Sequence, residues 1–143
     1  MNIREMTAVD IPSAREIDIN SFSHPWSEQF FVDELKKDYS RYFVMETDGE
    51  ILGYVGIWCI YETAELIRIA TAPKHLRKGI GSSLMKKIFE CSAECGCERM
   101  MLEVRASNIG ARKLYEKYGF NEISVRKGYY DGEDAIIMEV AIK

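Results

Sequence analysis

Glu65 to Ser83 reads E-L-I-R-I-A-T-A-P-K-H-L-R-K-G-I-G-S-S, and its two ends decide the fold. Residues 65–71 are rich in β-branched side chains and read as a strand. Gly79 and Gly81 follow, and Leu84, Ile88 and Phe89 come directly after them at the spacing of a helix face. Two glycines at a strand-to-helix turn let the backbone approach a ligand with no Cβ in the way. The N–H groups of a helix's first turn, with its dipole, attract an anion. Arg77 and Lys78 add positive charge there. The stretch points to a phosphate-bearing ligand, against the plainer alternative of a glycine-rich turn with two solvated cations. The third glycine of a dinucleotide turn is missing, and so is the Gly-Lys-Ser/Thr ending of a triphosphate loop.

Working outward, residues 3–6 read as a strand. Thr7 reads as the cap of a helix bearing Ile11, Ala14, Ile17 and Phe22, with Asp10 in its first turn. His24-Pro25-Trp26 breaks that helix. Ser27 caps another, whose inner face is assigned to Phe30, Phe31 and Leu35. Strands over 42–47 and 51–60 are joined by an Asp48-Gly49 hairpin turn. Gly53 and Gly56 mark candidate bulges. The helix over 81–95 closes on Gly96. A strand at 100–104 leads to a helix capped by Asn108 and ended by Gly119. Strands at 120–125 and 135–141 flank a polar loop, 126–134. The expectation is one α/β domain over residues 1–143, with helices on the faces of its sheet.

A chain of 143 residues with 47% apolar and 29% charged content can bury a core without staples. A net charge of −4 argues against a nucleic-acid binder. The run Ile136-Ile137-Met138 is far short of the roughly 20 residues that span a membrane. The start, MNIREMTAVD, lacks the apolar stretch of a signal peptide. A cytoplasmic protein is expected, its four cysteines reduced. Cys91, Cys95 and Cys97 lack a fourth ligand nearby, so no metal is expected.

Strand alternation separates Met100, Leu102 and Val104 from Met101, Glu103 and Arg105. Glu103 lies near a strand's C-terminal end, where open α/β sheets place ligands. It reads either as a general base or as a solvated partner of Arg105 or a lysine. Tyr115 lies two helical turns beyond Asn108, on the same side. It reads either as core packing or as a proton donor to a departing thiolate, whose pKa near 8.5 lies below the phenol's value of about 10. On the residues alone, Asn108 reads as no more than a helix cap.

The segment Leu76–Ser82 together with L-E-V-R-A-S-N-I-G-A-R-K-L-Y-E-K-Y-G-F at 102–120 resembles the GNAT N-acetyltransferase superfamily. H-P-W-S-E-Q-F-F at 24–31, L-E-V-R-A-S-N at 102–108 and Y-Y-D-G-E-D-A-I-I-M at 129–138 narrow the resemblance to its ribosomal-protein-alanine N-acetyltransferase branch. That resemblance covers nearly the whole chain. It implies a mixed, partly splayed sheet of about seven strands flanked by about four helices. It implies acetyl-CoA as cosubstrate, with the pyrophosphate on the N–H groups of Arg77, Lys78, Gly79, Ile80, Gly81 and Ser82. Backbone groups of Ile69, Ala70 and Thr71 would bind the pantetheine arm, and the Asn108 side chain would touch the cofactor. Leu76 departs from the Gln or Arg usual there, which main-chain donors tolerate.

The implied reaction is acetylation of an N-terminal alanine, that of small-subunit ribosomal protein eighteen, with Glu103 as base and Tyr115 as acid. Trp26, Tyr39, Tyr129, Tyr130, Asp131, Glu133 and Asp134 are candidates to hold the peptide. For Trp26 the alternative is an apolar plug between two helices, and for the acidic residues a solvated turn. A small-molecule amine, other protein N-termini and a non-catalytic acyl-CoA sensor are the competing functions. A monomer is expected, with no nucleic acid or membrane as partner.

Overall fold

Among the described residues, every neighbouring strand pair in a seven-stranded sheet is antiparallel except one. The computed structural model describes residues 1–130 and 132–142. The strands are β1 Asn2–Glu5, β2 Ser40–Thr47, β3 Glu50–Ile60, β4 Thr63–Thr71, β5 Arg99–Arg105, β6 Asn121–Tyr130 and β7 Glu133–Ala141. The helices are α1 Ile11–Ser21, α2 Glu28–Lys36, α3 Ile80–Glu94 and α4 Ile109–Lys117. Spatial order is β1-β2-β3-β4-β5-β7-β6. The exception is β4 against β5. They pair in parallel at Thr63↔Arg99, Ala64↔Met100 and Glu65↔Met101, and no pairing continues beyond. This is the expected α/β sheet with its splay.

The helices cover both faces. α3 lays Leu84, Met85 and Ile88, all fully buried, against Val55, Ile57, Leu66 and Met100. Ala14 and Ile17 of α1 and Phe31 of α2 cover Tyr42, Val44 and Tyr54 on the other side. Each fully buried Leu, Ile or Phe contributes roughly 1.5–3 kcal/mol, so neither layer is dispensable. Ser27 caps α2 by accepting from the Phe30 N–H at 3.1 Å, as its sequence position predicts.

Two register shifts fall beside the glycines read as bulge markers. Met45 pairs with Gly53 and Glu46 with Ile51, so Leu52 is extra. Gly56 pairs with Arg68 and Ile57 with Leu66, so Ile67 is extra on β4. An extra residue moves the following side chains to the opposite face. Ala64 and Leu66 therefore join the α3 layer, while Ala70 joins the α1 layer. Gly56 also has no room for a Cβ, which would fall 2.1 Å from a ring carbon of Tyr42.

Three expectations need correction. The polar loop at 126–134 is a hairpin instead: β6 runs to Tyr130 and β7 starts at Glu133. Residues 126–129 are exposed because β6 is the sheet's edge, which hides the strand pattern. Phe30 is 41% exposed and is not on the inner face of α2; Glu34, at 1%, takes that place. Thr7 opens a 3₁₀ turn, Ala8–Asp10, ahead of α1, and its N–H donates to Asp10 Oδ2 at 2.8 Å.

Candidate functional site

The divergence of β4 and β5 opens a cavity of about 760 Å³. Ile67 to Thr71 form one wall and Glu103 to Arg105 the other. Asn108, Ala111, Leu114 and Tyr115 close one side; Ser21 at the end of α1 and Phe22 to His24 after it close another. Leu76 and Gly81 stand at the end where α3 begins.

That end has the backbone features that suit an anion. Arg77 (φ 65°) and Gly79 (φ 78°) both adopt left-handed backbone, which at Gly79 favours glycine. No side chain caps α3, so its leading N–H groups are left to a ligand. The Ile80 side chain is buried in the core at 1% exposure, so only its main chain faces this role. The Ser82 carbonyl accepts from Tyr118 Oη at 3.0 Å, and Ser82 Oγ accepts from Lys117 Nζ at 3.4 Å. Of the residues assigned to cofactor binding, Ile69, Ala70, Thr71, Gly81 and Asn108 line the cavity itself. Arg77, Lys78, Gly79, Ile80 and Ser82 form the adjoining turn and first helical turn. Past Glu65 the side of β4 that faces β5 has no strand beside it, which leaves main-chain groups open along the cavity. This cradle and strand edge fit a diphosphate with an extended amide-bearing arm.

Glu103 and Tyr115 line the same cavity. Glu103 Oε1 pairs with Arg126 of β6 at 3.2 Å. The sequence hides this pairing because Arg126 reaches across β7, which lies between β5 and β6. Tyr115 packs its ring against Phe120 with centroids 5.9 Å apart. Burial pushes its phenol up to about 12, so it stays protonated at neutral pH. Asn108 Oδ1 accepts from the Ala111 N–H at 3.2 Å and so caps α4, while the residue also borders the cavity.

Burial raises the phenols of Tyr42 and Tyr54 in the same direction, assisted by hydrogen bonds to Glu34 and Asp18 respectively. A group whose folded pKa exceeds its unfolded value favours folding fully below the unfolded value, near 10, and loses that effect as pH rises through the folded value. Thermal unfolding followed by circular dichroism is expected to show a melting temperature unaffected by these tyrosines up to pH 10. It should fall steeply as pH approaches 12.

The peptide-holding candidates scatter. Trp26 packs on Phe30, Phe31 and Tyr42, with centroids 4.6, 5.2 and 6.4 Å away, as an apolar plug. Tyr39 stands edge-on to Trp58 at 5.3 Å, away from the cavity lining. Tyr129 is 52% exposed beneath the Arg126 guanidinium, 5.3 Å from its ring centroid. Glu133 accepts from Ser107 Oγ at 2.7 Å and from its N–H at 3.1 Å, which holds the carboxyl below its ordinary value. Asp134 Oδ1 accepts from the Gly128 N–H at 3.0 Å. Asp131 and the Tyr130 side chain lie outside the described residues.

Cys59 of β3 neighbours Cys91 of α3, an influence that lowers the Cys91 thiol below its ordinary value. Among the described residues no group of three or more His, Cys, Asp or Glu is arranged to hold a metal ion. No described helix is long and apolar enough to cross a membrane.

Residues the sequence reading missed include Asp18, Arg68 and Arg126. Asp18 is fully buried and forms an ion pair with Arg68 at 2.8 Å. An acid in an amphipathic helix gives no signal of burial by itself.

Residues 11–120 match the model of the Acetyltransferase (GNAT) family. A Bacillus subtilis (strain 168) protein provisionally named [ribosomal protein bS18]-alanine N-acetyltransferase is 39% identical over 98% of this chain and 95% of its own. The Escherichia coli (strain K12) [ribosomal protein bS18]-alanine N-acetyltransferase is 35% identical, covering 98% and 97%. The crystal structure of the ribosomal-protein-S18-alanine N-acetyltransferase from Escherichia coli superposes with a TM-score of 0.92. It is 34% identical and covers 99% of this chain and 94% of that one.

Proposed function

We propose, from the premise that the chain belongs to the GNAT acetyltransferase family, that it acetylates the N-terminal alanine of a protein, the ribosomal protein bS18 of its relatives' names. The observation that carries this reading is the convergence of Glu103, Tyr115 and the open edge of β4 on one cavity that ends at the uncapped start of α3. GNAT acetyltransferases use acetyl-CoA, which supplies the acetyl group as a thioester. Arg77, Lys78, Gly79, Ile80, Gly81 and Ser82 hold its diphosphate through main-chain N–H groups. Ile69, Ala70 and Thr71 hold its arm, and Asn108 borders it. The domain spans 1–143 and works as a cytoplasmic monomer, without nucleic acid or membrane.

The chemistry follows from charge. An α-amine with a pKa of about 7.7–8.0 is mostly protonated at pH 7 and cannot attack. Glu103 takes its proton, directly or through one water. The Arg126 guanidinium pairs with that carboxylate in the free protein. An N–H near Ile69 steadies negative charge growing on the thioester oxygen. Tyr115 donates its proton to the departing sulfur; a phenol held near 12 is fully protonated when that moment comes. Alignment of the two reactants supplies a further portion of the acceleration, up to roughly 7–11 kcal/mol. A binding module that only sensed acyl-CoA would need neither the acid nor the base.

The test is mass spectrometry of acetyl transfer from acetyl-CoA to a panel: an N-terminal alanine peptide, a blocked peptide with a free lysine, and spermidine. The alanine peptide is expected to gain an acetyl group at its α-amine. Transfer to spermidine alone would establish a small-molecule amine as substrate instead.

A further inference from the structure

Arg68 should face α3 by simple strand alternation from Leu66. The extra residue at Ile67 sends it to the opposite face, where Asp18 of α1 waits, fully buried. Arg68 Nε donates to Asp18 Oδ1 at 3.1 Å and Nη2 to Oδ2 at 2.8 Å. This fork-to-fork pairing fixes the plane of the guanidinium. One face of that plane lies 3.6 Å from the Phe22 ring centroid, and Trp26 stands 4.7 Å away. Nη2 also donates to the His24 carbonyl at 3.3 Å. Asp18 completes the set by accepting from the Trp26 N–H at 2.7 Å and from Tyr54 Oη. The whole segment from Phe22 to Trp26, which has no helix or strand of its own, is thereby tied to β4 through one buried ion pair.

Phe22, Ser23 and His24 of that segment line the cavity, and so does Arg68. The uncapped start of α3 occupies the far end, and Ile69 to Thr71 lead away from it. Phe22, Ser23 and His24 share that cavity with Glu103, which offers them to the second reactant. We propose that Arg68 is a positioning residue for the acceptor: clamped by Asp18, it fixes Phe22–Trp26 as the surface that seats the incoming N-terminal residue. This rests on the acetyltransferase reading above. It adds that the acceptor's fit is set by a residue that does not react.

The test uses the full-length chain. Removing Arg68 alone would strand a buried carboxylate, which is strongly destabilising, so the informative variant is Asp18→Asn with Arg68→Gln, which removes both charges together. It is expected to raise the KM for the alanine peptide by about tenfold or more, and to speed amide exchange at 22–26. Acetyl-CoA affinity, by titration calorimetry, should stay within about twofold. Arg68→Lys keeps the charge but loses the planar fork and ring contacts, and should give an intermediate KM. An unchanged peptide KM in the folded double variant overturns the proposal, whether or not exchange at 22–26 rises. An equal loss of peptide and acetyl-CoA binding also overturns it, because that outcome marks a general structural role. A wild-type chain inert toward the alanine peptide overturns the alanine reading first, and this inference with it; the wild-type arm separates the two failures.

Discussion

Replacing Glu103 with glutamine is expected to lower the rate of acetyl transfer to an N-terminal alanine peptide by about 10²- to 10⁴-fold, the usual worth of a positioned base. Acetyl-CoA affinity should not change. Glutamine keeps the shape and one acceptor oxygen but cannot take a proton near neutral pH. Single-turnover mass spectrometry at pH 7 measures the rate, and calorimetry measures the affinity. The companion change, Tyr115→Phe, keeps the ring packing on Phe120 and deletes the donor. It should slow the same step by about 10²-fold, the lower end of the same range. An undiminished rate in Glu103→Gln would remove the base from the mechanism, and an unaltered single-turnover rate in Tyr115→Phe would remove the acid.

Gly56→Ala is expected to lower the melting temperature by about 10 °C, from roughly 3 kcal/mol of overpacking. The added methyl would sit 2.1 Å from the Tyr42 ring. That ring has nowhere to go: its hydroxyl binds the buried Glu34 carboxylate, which Trp58 Nε1 also holds at 2.9 Å. Gly110→Ala is the control, since its Cβ would meet nothing within 4 Å and alanine favours a helix. A Gly56→Ala chain that melts within about 2 °C of the wild type, which corresponds to about half a kcal/mol, would refute the packing argument.

The order of elements was legible because each boundary carries a local chemical signal. Ser27 and Asn108 cap helices, Gly96 and Gly119 end them, and Asp48-Gly49 turns a hairpin with both residues at positive φ. The splayed sheet was anticipated only through family resemblance. Strand parity and helical period mark Glu103 and Tyr115 one at a time, each with a plain structural alternative; only the family resemblance joins them in one site, and both line the same cavity. Arg126 could not be placed there, because its pairing with Glu103 depends on which strand separates β5 from β6. Arg68 could not either: one bulged residue reverses its face, and no local pattern announces it. Asp18 and Glu34 read as solvated helix acids, since a buried carboxylate is recognisable only by partners distant in sequence. β6 was mistaken for a loop at its end because an exposed edge strand needs no apolar alternation.

The short parallel seam between β4 and β5 bears on how the molecule assembles. β2, β3 and β4 are laced by consecutive hairpins, and β6 and β7 by another, contacts of small sequence separation that form quickly. Three residue pairs then join the two laced units. Docking of the units along that seam is the long-range step, and the cavity proposed for the cosubstrate comes into being only with it. A ligand that spans from Thr71 to Asn108 acts as a staple across the joint. At a hundred times its dissociation constant it would add about 2.7 kcal/mol to the assembled state, so the stability of the two units' union and the supply of acetyl-CoA are linked quantities.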